Sequence, residues 1–299
     1  MDPLALNTFV AVAHRGSVSA AAEDLHTVQS NVTARIKQLE ADLGVALFVR
    51  HSRGVRPTPA GERLLGYAQR FQALEEETRA ALRDDGALHG PLRLGTIETT
   101  AAVRLPPLLR RFHDAHPQVP LEVRTGTSAE LLLQVQRHQL DAAFVAGPLD
   151  HPALDARPVF REELVLVQAA DSPGIDALLA RGRLTVIVFR AGCTYRQRLE
   201  AAFAARGWGP LQRLEFGTLD GMLGCVAAGV GVTGLPRSVV EAHRGADGLR
   251  VEPFGPAGLA VDTLLVRRRD GLRGAALTAF ERLLDAAPGP APTPAAPPT

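Results

Sequence analysis

Apolar positions at helical spacing open the chain. Two segments repeat apolar residues at i, i+3, i+4 and i+7 and a third places them on one stripe, which predicts amphipathic helices beginning near Leu6, Val18 and Val28. Ser17 and Thr27 are the predicted N-caps of the second and third helices. The apolar stripe of the third helix, which Gly44 ends, consists of Val28, Val32, Ile36, Leu39 and Leu43. Residues 45–61 then predict a strand, a basic glycine-containing turn and a return strand.

A long fourth helix is predicted to start at Thr58 and Pro59, because threonine caps well and proline suits the first helical position. Its seam places Leu64, Phe71 and Thr78 on one heptad position and Tyr67, Leu74 and Ala81 on the other. That spacing predicts pairing with a second helix; the alternative is a helix packed only on its own domain. The composition of residues 84–91 indicates a hinge.

From Leu92 onwards, short apolar strands alternate with helical segments, which predicts an α/β domain with largely parallel sheets. The predicted strands are 92–98, 121–126, 141–147, 163–169, 185–189, 213–217, 230–235 and 259–268. The predicted helices are 101–115, 128–139, 194–206, 219–228 and a last one near 272–286. The Pro/Ala-rich tail, residues 288–299, is expected to be disordered.

Composition changes this picture in two ways. The formal net charge is only +1, so any binding to nucleic acid must come from a local patch. Two cysteines, Cys193 and Cys225, do not make a disulfide framework, and the N-terminus lacks the pattern of a secretory signal. The sequence therefore predicts a cytoplasmic protein that does not enter a membrane.

The third helix carries the residues that could read DNA. Gln29, Ser30, Thr33 and Lys37 fall within about 100° of arc opposite the apolar stripe. Such side chains can contact base edges and phosphates in a major groove. Further cations follow at Arg35, Arg50, Arg53 and Arg56, so residues 29–58 carry a local excess of three positive charges. The alternative is a three-helix bundle with a solvated polar face.

Residues 6–61, LNTFVAVAHRGSVSAAAEDLHTVQSNVTARIKQLEADLGVALFVRHSRGVRPTPAG, resemble the N-terminal signature of LysR-type transcriptional regulators. The later α/β pattern and GVGVTGLP (229–236) are also similar to that family. The resemblance implies that Gln29 and Ser30 touch bases, that Thr33, Arg35 and Lys37 hold the groove, and that Arg53 and Arg56 lie in a wing. Ser30-Asn31 and Pro57 depart from the usual pattern, which affects the expected operator sequence but not the fold.

The expected fold class is therefore an α+β multidomain chain. A winged helix-turn-helix DNA-binding domain occupies residues 1–60 and a linker or dimerisation helix with a hinge occupies 61–90. An α/β effector-binding domain of the periplasmic-binding-protein type, with two subdomains, occupies 91–287. The resemblance implies a homodimer or homotetramer on an inverted repeat in double-stranded DNA, with a small-molecule effector and RNA polymerase as further partners.

Hydroxyl side chains follow several predicted strands of the α/β half, where ligands of open sheets bind. Thr99, Thr100, Thr127, Thr194 and Thr218 stand at such junctions, and with Cys193 they are the candidate residues for a small, anionic effector. Each threonine is also an ordinary N-cap candidate.

Cys193 has a second interpretation. It opens a predicted helix near Arg190, Arg196 and Arg198, and a helix dipole with cations lowers a thiol pKa. Its position resembles the reactive cysteine of peroxide-sensing members of the family, so a thiol-based redox sensor is an alternative function. The other interpretation is a small residue lining a pocket, and Cys225 is expected in the core.

Several signals are set aside. Gly229, Gly231 and Gly234 spell G-x-G-x-x-G, but the run continues as a strand and no helix is expected after it. His113 and His116 lack a third metal ligand. No catalytic cluster, metal site or cofactor motif is predicted, so an enzyme is not expected. A small-molecule-binding protein without a DNA role is the alternative from another class.

Overall fold

The structure is a computed structural model, and it describes residues 2–51, 54–82, 88, 90–180, 182, 184–243, 248–254, 258–270 and 274–286. The chain divides into two compact units, residues 1–87 and residues 88–299, with residues 137–139 grouped with the first. Each unit has a hydrophobic core of its own. The predicted tail at 288–299 lies outside the described residues.

Four helices and a two-stranded sheet build the first unit. Its elements are α1 (Pro3–Arg15), α2 (Val18–Asp24), α3 (Gln29–Leu43), β1 (Phe48–His51), β2 (Gly54–Pro57) and α4 (Pro59–Ala81). Ser17 caps α2 as predicted, with its hydroxyl accepting from the Ala20 N–H. The predicted cap of α3 at Thr27 is wrong: Val28 is the N-cap residue, and the Thr27 hydroxyl accepts instead from the Asn31 amide.

The strands β1 and β2 pair antiparallel and form a wing beside the helices. The Val55 N–H donates to the carbonyl of Gly16 at 2.8 Å, which attaches the wing to the turn between α1 and α2. Gly54 has a φ of +126°, and a Cβ there would lie 2.4 Å from the same carbonyl oxygen. Only glycine fits this approach of two backbones.

The helix α4 has two different faces. Leu65 and Ala68 on one face are buried in the core of the first unit. The opposite face exposes Tyr67, Phe71 and Leu74, whose exposed fractions are 67%, 40% and 51%. The helix therefore packs on its own domain and also leaves an apolar stripe without cover in a single chain.

The second unit is an α/β fold. Its strands are β3 (Leu92–Thr96), β4 (Leu121–Thr125), β5 (Ala142–Ala146), β6 (Leu154–Ala169), β7 (Leu184–Phe189), β8 (Leu211–Phe216), β9 (Thr233–Pro236), β10 (Leu249–Pro253) and β11 (Leu259–Arg268). Its helices are α5 (Glu98–Val103), α6 (Leu105–Ala115), α7 (Ser128–Gln136), α8 (Ile175–Ala180), α9 (Thr194–Ala204), α10 (Leu219–Ala227), α11 (Arg237–Ala242) and α12 (Ala275–Asp285).

The larger sheet is mixed, so the prediction of largely parallel sheets is wrong. Its strand order is β10-β6-β11-β5-β3-β4, with β9 also paired to β6. The strands β3, β4 and β5 are parallel, but the long strands β6 and β11 run antiparallel to their neighbours. The reason is that the last strand of the chain returns between β5 and β6. The strands β7 and β8 form a separate parallel pair.

Local features explain where the predicted elements differ from the structure. Only the second half of β6 was expected, because Pro158 and several charged residues interrupt its first half. The register between β6 and β11 shifts beside Pro158, at a bulge, which is where a sheet tolerates proline. The segment 101–115 forms two helices, because Pro106 and Pro107 favour a helix start at that point.

The expectation that no helix follows the glycine run 229–234 is wrong. A helix does follow it, since α11 begins directly after Pro236, contrary to the expectation. However, Gly229 and Gly231 precede the strand β9 and Gly234 lies within it, so the order of strand, glycine turn and helix needed for a dinucleotide site is not met. A Cβ at Gly231 would lie 2.6 Å from the Thr185 carbonyl, and this close approach accounts for the residue.

Across the part of the chain that the structure describes, none of the helices has the length and apolarity needed to span a bilayer.

Candidate functional site

The helix α3 separates its apolar and polar positions. Val32, Ile36 and Leu39 are buried, as the stripe predicted. Val28 and Leu43, at the two ends of the stripe, are instead 59% and 40% exposed, because they lie beyond the ends of the packed segment.

The polar positions predicted to read DNA lie on the other side of α3. Gln29, Ser30 and Lys37 are exposed and Thr33 is half-buried. Arg35 is half-buried. At about 100° per residue along a helix, it lies next to the buried stripe, on the other side of that stripe from Gln29. The structure therefore brings four of the five predicted α3 residues onto one accessible surface.

The wing contributes an exposed cationic side chain to the described part of the chain. Arg56 on β2 is exposed and pairs in register with Val49. Arg50 lies on β1, but its side chain is outside the described part, and Arg53 lies outside the described residues altogether.

Glu40 is a residue that the sequence reasoning missed at this surface. Its carboxylate oxygen Oε1 accepts from the backbone N–H groups of Leu47, at 2.7 Å, and Phe48, at 3.3 Å. This acid was counted only against the local charge. It instead connects α3 to the start of the wing, and so fixes these two elements relative to each other.

A pocket lies in the second unit, where the ends of several strands meet the first turns of helices. It encloses about 480 Å³, including its mouth. The lining residues are Ile97, Glu98, Thr99, Thr125, Gly126, Thr127, Phe189, Arg190, Cys193, Tyr195, Phe216 and Gly217.

Three of the six predicted effector residues, Thr99, Thr127 and Cys193, line this pocket. Thr100 is buried and Thr194 half-buried, but neither is part of the lining. Thr218 is exposed and caps α10 by accepting from the Gly221 N–H, and it borders a separate outer groove.

Cys193 is the N-cap residue of α9 and is buried. Burial raises the pKa of its thiol, and the nearby backbone N–H groups of Arg196 and Tyr195 offset this only in part. The net direction is opposite to the lowering expected from the sequence, because desolvation outweighs the helix terminus. The Arg196 guanidinium is also occupied, since it bonds to Glu200 and Glu215.

Buried hydroxyl groups without partners lie at the pocket. The hydroxyls of Thr99 and Tyr195, which line the pocket, and of Thr263 behind them are buried, and none has a partner within bonding distance among the residues that the structure describes. Burial raises the pKa of Tyr195 to about 12, while the Thr99 and Thr263 hydroxyls act to lower it, which places them beside the phenol. Unsatisfied buried hydroxyls are costly, so this cluster suits a bound polar group.

Two charged residues of opposite sign line the same pocket. Glu98 is half-buried; burial raises the pKa of its carboxyl, and the negative charge of Asp220 raises it further. Arg190 is exposed at the pocket, and its charge lowers the pKa of Glu130 slightly, behind the effect of hydrogen bonds from Thr127. Neither was singled out as an effector residue from the sequence.

Tyr195, Glu98 and Arg190 were missed because the junction of β7 and α9, which carries Arg190 and Tyr195, meets Glu98 only in the folded chain. A signal existed for all three, and Arg190 was already noted as a neighbour of Cys193. Glu98 directly precedes the predicted Thr99, and Tyr195 stands two residues after Cys193. Among the described residues, no group of three or more His, Cys, Asp or Glu side chains could hold a metal ion.

Comparison with protein families gives two matches. Residues 4–62 match the family described as "Bacterial regulatory helix-turn-helix protein, lysR family". Residues 85–288 match the family described as "LysR substrate binding domain".

Similar proteins extend over nearly the whole chain. It is 41% identical over 275 residues to the HTH-type transcriptional regulator GltR of Bacillus subtilis, covering 92% of this chain and 93% of that protein. It is 40% identical to the uncharacterized regulator YusT of the same organism, covering 92% of each.

Solved structures with a similar fold match nearly the whole chain at lower sequence identity. A full-length OxyR variant from Pseudomonas aeruginosa superposes with a TM-score of 0.73 at 25% identity, covering 95% of this chain and 94% of that one. Full-length CbnR in complex with its target DNA superposes with a TM-score of 0.66 at 23% identity, covering 95% and 99%.

Proposed function

Since this chain belongs to the LysR family of bacterial transcriptional regulators, we propose that it binds an inverted-repeat operator as an oligomer. A small carboxylate that enters the pocket changes the protein's affinity for that operator in this proposal. The protein is a DNA-binding regulator with an effector-binding domain, and not an enzyme. The family resemblance of residues 6–61 is thereby confirmed.

One observation carries the proposal for DNA reading. The exposed arc of α3 bears an amide, a hydroxyl and an ammonium, while Val32, Ile36 and Leu39 of its apolar stripe are buried. Gln29 at the start of the helix can donate to and accept from a base edge, whereas Lys37 and Arg56 can only meet acceptors such as phosphates. Gln29 and Ser30 therefore specify bases in this proposal, and Thr33, Arg35, Lys37, Arg50, Arg53 and Arg56 supply the remaining contacts.

Gln29→Ala tests this assignment. We expect the variant to lose about 1–3 kcal/mol per half-site on an operator selected from a random duplex library, while its affinity for a scrambled duplex stays unchanged. Arg56→Ala should weaken both duplexes and reduce the salt dependence of binding by about one counterion per subunit. Fluorescence anisotropy titrations at several salt concentrations measure both effects.

The matched control is Gln38→Ala, because Gln38 is also an exposed glutamine of α3 but bonds to Asp42. Its affinity for operator should equal that of the parent protein. Equal losses for Gln29→Ala and Gln38→Ala would contradict a base-reading role for Gln29.

Oligomerisation through α4 supports the inverted-repeat part of the proposal. The exposed stripe of Tyr67, Phe71 and Leu74 would be covered by the same stripe of a second chain. Two recognition helices related by a two-fold axis then require half-sites about one or two helical turns apart. A dimer of such dimers gives the proposed homotetramer.

We further propose that the protein acts in the cytoplasm and contacts RNA polymerase there.

The pocket is the proposed effector site. Thr99, Thr127 and Tyr195 supply hydroxyl groups, and Arg190 supplies a positive charge. These groups suit a carboxylate, since charge-assisted hydrogen bonds to an anion are stronger than neutral ones. Cys193 contributes to the wall in this proposal, and the rise in its thiol pKa weighs against the redox alternative.

Alkylation tests the redox alternative. In a Cys225→Ser background Cys193 is the remaining thiol, and its raised pKa leaves less thiolate at neutral pH. We expect iodoacetamide to react at pH 7 at least about tenfold more slowly than with a free cysteine, and the rate to climb until pH passes the raised pKa. A rate above that of free cysteine, together with operator binding that changes on oxidation, would instead favour redox sensing.

A further inference from the structure

The pocket contains a carboxylate that a simple anionic ligand would not satisfy. Glu98 lines the pocket and is half-buried, and no cationic side chain among the described residues pairs with it. The charge that acts on it is that of Asp220, which is also negative. A desolvated carboxylate of this kind is stabilised by a positive group arriving with the ligand.

Groups that accept a carboxylate lie in the same pocket. The first turn of α9 presents the backbone N–H groups of Tyr195 and Arg196 beside the Cys193 sulfur, and a carboxylate is a stronger acceptor than a thiol. Independently of the helix end, Thr99 and Tyr195 are at least 97% buried, and their hydroxyls have no partner within bonding distance among the described residues. Arg190 adds a guanidinium that makes no ion pair within the described residues.

Part of the lining is apolar. Ile97, Phe189 and Phe216 form wall segments between these polar groups. An alkyl side chain would lie against them, while a strongly polar one would lose its hydration there.

We propose that the effector is a small α-amino acid with an apolar side chain. Its carboxylate is held by the hydroxyl and N–H donors with Arg190, and its ammonium group is held by Glu98. This inference rests on the proposed function, because it names the ligand class of the pocket assigned there. A simple carboxylate would leave Glu98 repelling the ligand, and a simple amine would leave the donor cluster unsatisfied.

Matched ligand sets test the inference on the full chain. Isothermal titration calorimetry compares L-alanine, L-valine and L-leucine with their deaminated counterparts propionate, isovalerate and isocaproate. It also includes the decarboxylated counterparts ethylamine, isobutylamine and isoamylamine. We expect at least one amino acid to bind about 10- to 100-fold more tightly than either of its counterparts, because each counterpart loses one charge-assisted contact.

Glu98→Gln probes the ammonium site with an amide of similar shape. In this variant the preference for the amino acid over its deaminated counterpart should fall by about 10- to 100-fold. The melting temperature without ligand should rise at neutral pH, because an unfavourably placed charge is removed. Glu241→Gln, an exposed glutamate of α11 outside the pocket lining, should change neither quantity.

The outcomes separate the inference from the proposed function. If the deaminated acids bind as well as the amino acids, in the parent protein, the inference is wrong and the carboxylate pocket stands. If no member of the three sets binds the folded parent protein, both the inference and the effector part of the proposed function fail. The comparison within the parent protein needs no variant, so it decides the matter even if Glu98→Gln does not fold.

Discussion

Leu74→Glu should convert the protein to monomers and weaken operator binding by about 100-fold or more, because the change places an unpaired carboxylate inside a helix pair. Leu74 is 51% exposed in the single chain and sits between Phe71 and Thr78 on the outer face of α4. In an α4 pair this position would be desolvated. A monomer also keeps only one recognition helix, and so loses the gain from binding two half-sites together.

Sedimentation velocity measures the oligomeric state, and anisotropy with a full operator and with a single half-site measures the loss of linked binding. Leu133→Glu is the matched control, since Leu133 is a 44% exposed leucine of α7 in the other unit. It carries the same substitution at similar exposure and should leave both measurements unchanged. A Leu74→Glu protein that still sediments as the parent oligomer would rule out α4 as the pairing surface.

The two faces of α4 show what a sequence pattern can and cannot decide. The heptad seam predicted pairing, with packing on the parent domain as the alternative. The structure shows one of these contacts, the packing of Leu65 and Ala68 inside the unit, and leaves the stripe on the far side exposed, so pairing stays a prediction. Spacing alone identifies apolar positions, but it does not say which neighbour covers each of them.

The fold class was predictable because it depends on local patterns. Helical spacing located α1 to α4, and the strand β11 has the bounds that its apolar run predicted, Leu259–Arg268. The expected α+β multidomain architecture is confirmed. The antiparallel course of β6 and β11 was missed, because strand direction depends on where distant segments return and not on their own composition.

The two candidate sites also differ in how far the sequence alone could predict them. The polar arc of α3 could be predicted because all its residues lie on one helix with a known period. The pocket could be predicted only in part, since Glu98 reaches it from the junction of β3 and α5, whereas Arg190 and Tyr195 reach it from the junction of β7 and α9. Glu40 was missed for a related reason: its partners, Leu47 and Phe48, lie after the turn that follows the helix.

Gly61→Ala should destabilise the first unit by about 3 kcal/mol or more, because no space exists for the added methyl group. A Cβ at Gly61 would lie 2.2 Å from the carbonyl oxygen of Leu47. That carbonyl cannot easily move away, because it accepts from the Thr58 N–H at 2.9 Å while the Leu47 N–H is held by Glu40. The strain therefore falls on the start of the wing, and operator affinity should fall together with stability.

Gly66→Ala is the same substitution in the same helix and should have the opposite sign. No heavy atom lies within 4 Å of a Cβ at Gly66, so the change only removes the helix cost of glycine, about 0.5–1 kcal/mol. Hydrogen exchange of the α1 and α3 amides reports on the first unit within the full chain. Faster exchange in Gly61→Ala and equal or slower exchange in Gly66→Ala are expected. If both variants exchanged like the parent protein, the close approach of α4 to Leu47 would be wrong, and with it the way the wing is fixed beside the recognition helix.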